Sequence, residues 1–263
     1  MIRKLMSTLL DLAGYRLARK VSSHTTQVHE ADEKVGEVLA RIRPYTMLSP
    51  RKLVTLYDQA VFCEKHEIPG SFVECGVWKG GAVALMALAN MEFGTGRRHI
   101  HLFDAFQEIC EPDKSVDGER AVREVATWSS GNCRGDLTPL KGFYDAFGGP
   151  GTLQGNRDLL EKRIGYPPDY LHYHEGWFQD TMPGDAAGVG EIAILRLDGD
   201  WYASTKICLE YLYDHVVKGG FVIIDDYGAY DGCRKAVDEF MEYRKIVAYL
   251  SAIDAEARYF IKP

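Results

Sequence analysis

Several absences narrow what this chain of 263 residues can be. The six cysteines, Cys63, Cys75, Cys110, Cys133, Cys208 and Cys233, include no C-x-x-C pair. That spacing speaks against a zinc cluster and against a dense disulfide framework, so reduced thiols and a cytoplasmic location are expected. No apolar run approaches the ~20 residues that cross a bilayer. No clean apolar stretch leads into a small-residue cleavage site of the secretory kind either. Excess positive charge is also missing, since 31 Lys and Arg against 38 Asp and Glu leave a net charge of −7. A general nucleic-acid binder needs a basic face to displace counterions from phosphate, so the expected partner is a small molecule or a sugar. There is no G-x-G-x-x-G loop for a dinucleotide pyrophosphate, and no repeat or low-complexity segment.

What is present is an ordinary globular composition, 46% apolar and 26% charged, on a chain long enough for one large α/β domain. Near the start, Ile2, Leu5, Met6, Leu9, Leu10, Ala13 and Leu17 recur at helical spacing beside Arg3, Lys4, Arg16, Arg19 and Lys20. Residues 1–43 therefore read as a helical extension whose amphipathic face packs on the domain or on a second copy, and a homo-oligomer is expected. From Pro44 the chain alternates helical and strand-like segments. Leu53, Leu56, Tyr57, Ala60, Val61 and Cys63 share one helical face, with Ser49 as N-cap and Pro50 at the first position. Strands are expected at 71–77, 99–106, 169–176, 191–200 and 219–227, and the tail from 246 onward reads as two antiparallel strands. This alternation predicts an α/β fold, a doubly wound, mostly parallel Rossmann-like sheet with helices on both faces. One stretch fits poorly. Residues 110–168, rich in Gly, Asp and Pro, are too long for a plain connection and read as a lid or specificity insertion.

In an open parallel sheet, ligands bind at the carboxyl ends of the strands. The first strand ends E-C-G-V-W-K-G-G, placing Glu74, Gly76, Gly80 and Gly81 before a helix. Asp104 ends the next strand, where an acid can accept hydrogen bonds from ribose hydroxyls. NAD(H) and S-adenosylmethionine both carry an adenosine, but an acid in the loop suits the sulfonium and ammonium of the second. Lys79 is a candidate for the cofactor carboxylate. Further on, the apolar run ILRL stops at Asp198 with Asp200 close behind, and the run FVII stops at Asp225 and Asp226. Carboxylates held close raise one another's pKa unless a cation neutralises them. An all-oxygen set suits Mg²⁺, and the lack of His and Cys argues against zinc. The plain alternative is that these acids cap turns and helix starts.

At these residues the chain resembles the macrocin O-methyltransferase family, bacterial enzymes that methylate deoxysugar hydroxyls with S-adenosylmethionine and Mg²⁺. The matching segments are RPYTMLSP, PGSFVECGVWKGG, LFDAF, HEGWFQDTMP, LRLDGDWYAST and GGFVIIDDYGAYDGCRKAVDEF, in order from Arg43 to Phe240. The resemblance implies a class I methyltransferase fold over residues 44–263, with an antiparallel C-terminal strand. It implies that Thr46, Glu74, Gly76, Asp104, Gly176 and Trp177 contact the cofactor, and that Asp198, Asp225 and Asp226 hold Mg²⁺. Asp200 is then the general base, with Asp198 able to share that role. The implied acceptor is a sugar hydroxyl of a glycoside, a nucleotide sugar or a polysaccharide precursor. The rival readings are an NAD-dependent sugar-modifying oxidoreductase, a metal-dependent hydrolase on a similar sheet, and a non-enzymatic interaction protein.

Overall fold

The structure, a computed structural model, describes residues 35–263, so the amphipathic segment expected over 2–20 lies outside the described residues. The chain divides into a unit Met1–Val38 and a unit Leu39–Pro263. Of the first, residues 35–38 are described and are helical. Everything that follows concerns the second.

Its centre is a seven-stranded sheet in the order β3-β2-β1-β4-β5-β7-β6. The strands are β1 (Ser71–Cys75), β2 (Ile100–Asp104), β3 (Leu171–Glu175), β4 (Ile192–Leu197), β5 (Val216–Ile224), β6 (Ser251–Ala252) and β7 (Arg258–Ile261). The first five pair in parallel, and β7 runs antiparallel to β5, with Val222 opposite Phe260. β6 adds a short antiparallel edge. The central strands are apolar runs rather than alternating patterns because helices cover both faces, and every residue of β1 and β4 is buried.

Helix α1 (Pro50–Lys65) starts as the sequence predicts, with Ser49 Oγ accepting the Lys52 N–H at 3.2 Å. It buries Leu53, Leu56, Tyr57, Ala60 and Cys63. α2 (Gly81–Phe93) is apolar nearly all round, as befits a helix enclosed by the domain. Between β2 and β3 lie α3 (Gly118–Trp128) and α4 (Leu153–Arg157), the latter running into a π-helical turn at Asp158–Ile164. α5 (Phe178–Asp185), α6 (Tyr202–Leu212) and α7 (Asp231–Tyr243) complete the second half. None of the described helices is long and apolar enough to cross a membrane.

The strand order places the site. β1 lies between β2 and β4, so the connections leaving it and returning beside it diverge and open a crevice at its carboxyl end. Gly76 stands there with φ +88, and a Cβ would lie 1.7 Å from the Asp198 carbonyl oxygen. Only glycine lets the ends of β1 and β4 approach that closely.

Candidate active site

Four acids meet at this crevice. Asp198 and Asp200 follow β4, and Asp225 and Asp226 follow β5, which pairs with it through Leu197 and Ile224. Asp198, Asp225 and Asp226 each offer a carboxylate oxygen, and these oxygens lie within 4.8 Å of one another. Burial raises the carboxyls of Asp198, Asp200 and Asp226. For Asp200 the charges of Asp198 and Asp225 add to this, and for Asp226 those of Asp200, Asp198 and Asp225 do. Asp200 has a left-handed backbone, φ +59, and its N–H donates to Asp226 Oδ2 at 3.2 Å. Aspartate is among the few residues that tolerate this conformation.

Two buried cations sit among the acids, and neither was singled out from the sequence. Arg196, inside β4, donates through Nη1 to Glu74 and, at 2.8 Å, to Asp198, and through Nη2 to Asp225 at 2.5 Å. Lys52 of α1 donates to the other oxygen of Asp225 at 2.7 Å. Burial lowers the Lys52 ammonium, but Asp225 beside it, together with Asp198 and Asp226, more than reverses this. A basic residue inside an apolar strand was the available signal for Arg196, because such a residue must be paired. Lys52 left no comparable trace on its exposed-looking helix turn.

Two connected spaces open above the acids. A narrow slot is lined by Gly76, Trp78, Asp104, Tyr144, Gly176 and Trp177 with Asp198 and Asp200. A larger cavity of about 400 Å³ shares Gly76, Trp78, Asp104, Tyr144, Asp198 and Asp200 with it and adds Lys52, Asp225 and Asp226. Its outer wall comes from the long segment between β2 and β3, which supplies Arg120, Glu124, Trp128, Phe143 and Phe147. Rings of Trp128 and Phe147 meet at 5.5 Å. An ion-paired chain closes the rim, as Arg120 holds Glu124 and Glu256, each at 2.8 Å, and Glu256 reaches Lys52 at 3.3 Å. Tyr230 donates to the other oxygen of Glu124.

The structure thus brings Gly76, Asp104, Gly176, Trp177, Asp198 and Asp200 to the slot, and adds Asp225 and Asp226 in the cavity beside it. Glu74 and Thr46 line neither space. Glu74 is 1% exposed, tied to Arg196 beneath the floor, and its Oε2 has no hydrogen-bond partner. Thr46 accepts the Leu48 N–H and packs beside Gly81, while its neighbours Met47 and Leu48 reach the cavity. Asp104 does more than face the slot. It accepts the N–H groups of Val77 at 2.6 Å, Trp78 at 3.1 Å and Phe106 at 2.6 Å, pinning the glycine loop to the end of β2. Burial raises its carboxyl and those three N–H groups pull it back. Lys79 is occupied elsewhere, donating to the carbonyls of Phe147 and Gly148.

Known proteins resemble this chain in sequence and fold. The family described as Macrocin-O-methyltransferase (TylF) matches residues 4–130 and 160–262. Over 211 residues the chain is 34% identical to the 8-demethyl-8-(2,3-dimethoxy-alpha-L-rhamnosyl)-tetracenomycin-C 4'-O-methyltransferase of Streptomyces olivaceus, covering 80% of this chain and 72% of that one. It is 32% identical to the demethyldecarbamoylnovobiocin O-methyltransferase of Streptomyces niveus, covering 82% and 75%. Among solved structures, the O-methyltransferase NovP superposes with a TM-score of 0.66 at 29% identity, covering 83% of this chain and 82% of that one. The match to the family takes in the glycine loop and all four acids and breaks only across 131–159, within the wall of the cavity. The fold, the crevice and this match agree, and the chain belongs to the macrocin-O-methyltransferase family and is an O-methyltransferase.

Proposed function

We propose that this enzyme transfers the methyl group of S-adenosylmethionine to a hydroxyl of a sugar on a glycoside, with a divalent cation such as Mg²⁺ held by Asp198, Asp225 and Asp226. The observation that carries the reading is the convergence of those three carboxylates where a narrow slot meets a roomy cavity. Their donor set is all oxygen, which suits a hard cation. The slot offers an aromatic ring at Trp177 and a carboxylate at Asp104, the pair of groups that an adenosine uses. Glu74 and Thr46 shape the slot from behind its lining. Relatives named for a rhamnosyl-tetracenomycin and for a novobiocin precursor support a glycoside as acceptor.

When bound, S-adenosylmethionine supplies an electrophilic methyl group, and a divalent ion supplies Lewis acidity that lowers the pKa of a hydroxyl. The chain's own residues do the rest. Asp200 borders both spaces, where its carboxylate is placed to accept the hydroxyl proton. Its left-handed backbone and its bond to Asp226 fix the direction from which it approaches. Alignment carries most of such a displacement, so the wall over residues 110–168 selects the acceptor by holding one hydroxyl in line. Trp128, Phe143 and Phe147 give that wall an apolar face against which a sugar ring or its aglycone packs, and they exclude water.

The test is methyl transfer from labelled S-adenosylmethionine to a panel of glycosides and nucleotide sugars, with and without EDTA. Label is expected in a glycoside, lost with EDTA and restored by Mg²⁺. Incorporation indifferent to EDTA would overturn the cation, and incorporation into nucleotide sugars alone would overturn the acceptor class.

A further inference from the structure

Arg196 is the least expected residue of the site. It is 1% exposed in the middle of β4 and lines neither the slot nor the cavity, so it touches neither donor nor acceptor. A guanidinium in such a place is costly to desolvate, and a well-packed apolar side chain commonly serves a core better. Its placement makes sense through what it grips. One nitrogen donates to both Glu74 and Asp198, and the other to Asp225. Asp198 and Asp225 follow adjacent strands and are two of the three convergent carboxylates. A planar, rigid fork fixes the separation of the oxygens it holds, which a lysine cannot do.

We infer that Arg196, anchored from below by Glu74, is a positioning residue that holds Asp198 and Asp225 at the separation a divalent cation needs. This rests on the proposed reading of the carboxylate cluster as a cation site. Glu74 then acts on the cation through Arg196. With Glu74 neutralised, the guanidinium leans harder on Asp198 and Asp225 and competes with an ion for their charge. The loss of a negative charge nearby works in the same direction. Lys52 completes the arrangement by donating to the other oxygen of Asp225, so that residue is held from two sides.

The experiment compares the full chain with Arg196→Lys and Glu74→Gln, measuring Mn²⁺ affinity from the electron paramagnetic resonance of the free ion and S-adenosylhomocysteine affinity by calorimetry. Groups that orient metal ligands typically contribute about 10–100-fold to affinity. Mn²⁺ binding is therefore expected to weaken at least about tenfold in both variants, with S-adenosylhomocysteine binding held within about twofold and kcat lowered at unchanged donor KM. Glu74→Gln keeps the shape of the side chain and carries the test if Arg196→Lys does not fold. Unchanged Mn²⁺ affinity overturns the inference, as does an equal loss of both affinities, which marks a merely structural role. A fall in S-adenosylhomocysteine affinity alone overturns it too, by assigning Glu74 to the cofactor. Wild-type protein that takes up no Mn²⁺ removes the cation site itself and the inference with it.

Discussion

Asp225 and Asp226 are neighbours in the chain and partners in the proposed cation site, yet their substitutions are expected to move stability in opposite directions. Asp226 is buried, and its carboxyl accepts the Asp200 N–H at 3.2 Å. Burial holds its carboxyl well above the usual range, and Asp200, Asp198 and Asp225 repel its charge further. Without an ion, that charge opposes folding. Asp226→Asn removes that burden, so it should stabilise the ion-free protein. Asp225 instead pairs with two buried cations, Lys52 at 2.7 Å and Arg196 at 2.5 Å. Removing one member of a buried pair costs roughly 3–5 kcal/mol, and asparagine keeps one acceptor oxygen, so Asp225→Asn should destabilise by about 3 kcal/mol. An ion at a hundred times its Kd adds about 2.7 kcal/mol to a protein that binds it only when folded. Urea denaturation in EDTA should therefore rank Asp226→Asn above wild type and Asp225→Asn well below it. Saturating Mg²⁺ should then raise wild type by about 2.7 kcal/mol and leave both variants nearly unmoved. An Asp226→Asn protein weaker than wild type in EDTA, or one that gains the full increment from Mg²⁺, would refute the reasoning.

Other outcomes follow from the same geometry. Asp200→Asn should lower kcat by about 10²–10⁴-fold without lowering the urea midpoint, because asparagine also tolerates φ +59 and removes a charge that burial and the neighbouring acids disfavour; near-normal turnover would remove Asp200 as the base. Asp104→Asn replaces one of two oxygens that together accept three N–H groups, so stability should drop by about 1–3 kcal/mol and S-adenosylhomocysteine should bind more weakly in calorimetry. Neither change would mean that Asp104 is incidental to the slot. His101 is buried among His99, His172 and His174, and burial first, then those neighbours, push it down to about 3. A depressed histidine favours the neutral form, so its contribution is complete above its ordinary value near 6.5 and is lost as pH falls from there toward 3. At about pH 5 that single group should account for roughly 2 kcal/mol of lost stability, and His101→Phe should flatten the difference between urea curves at about pH 7.5 and about pH 5. An unchanged pH slope would place the titration elsewhere.

Much of the fold was written into the order of residues. Runs such as FVEC, IAILRL and FVII are too apolar for anything but strands covered on both faces, and Ser49 before Pro50 marks a helix start wherever it occurs. The acids at the ends of those runs stood out for the same reason, since a charge that interrupts buried sequence must be answered by something. What the sequence could not show is which ends become neighbours. That followed once β1 took its place between β2 and β4, bringing Gly76 against Asp198 and letting Asp104 pin the loop between them. The same register put Glu74 beside Arg196, where it is buried and ion-paired, and neither Glu74 nor Thr46 lines the slot or the cavity. Side-chain period and apolar runs are local properties and can be read along a chain. The pairing of charges across strands is a property of distance in space, and only the packed sheet decides it.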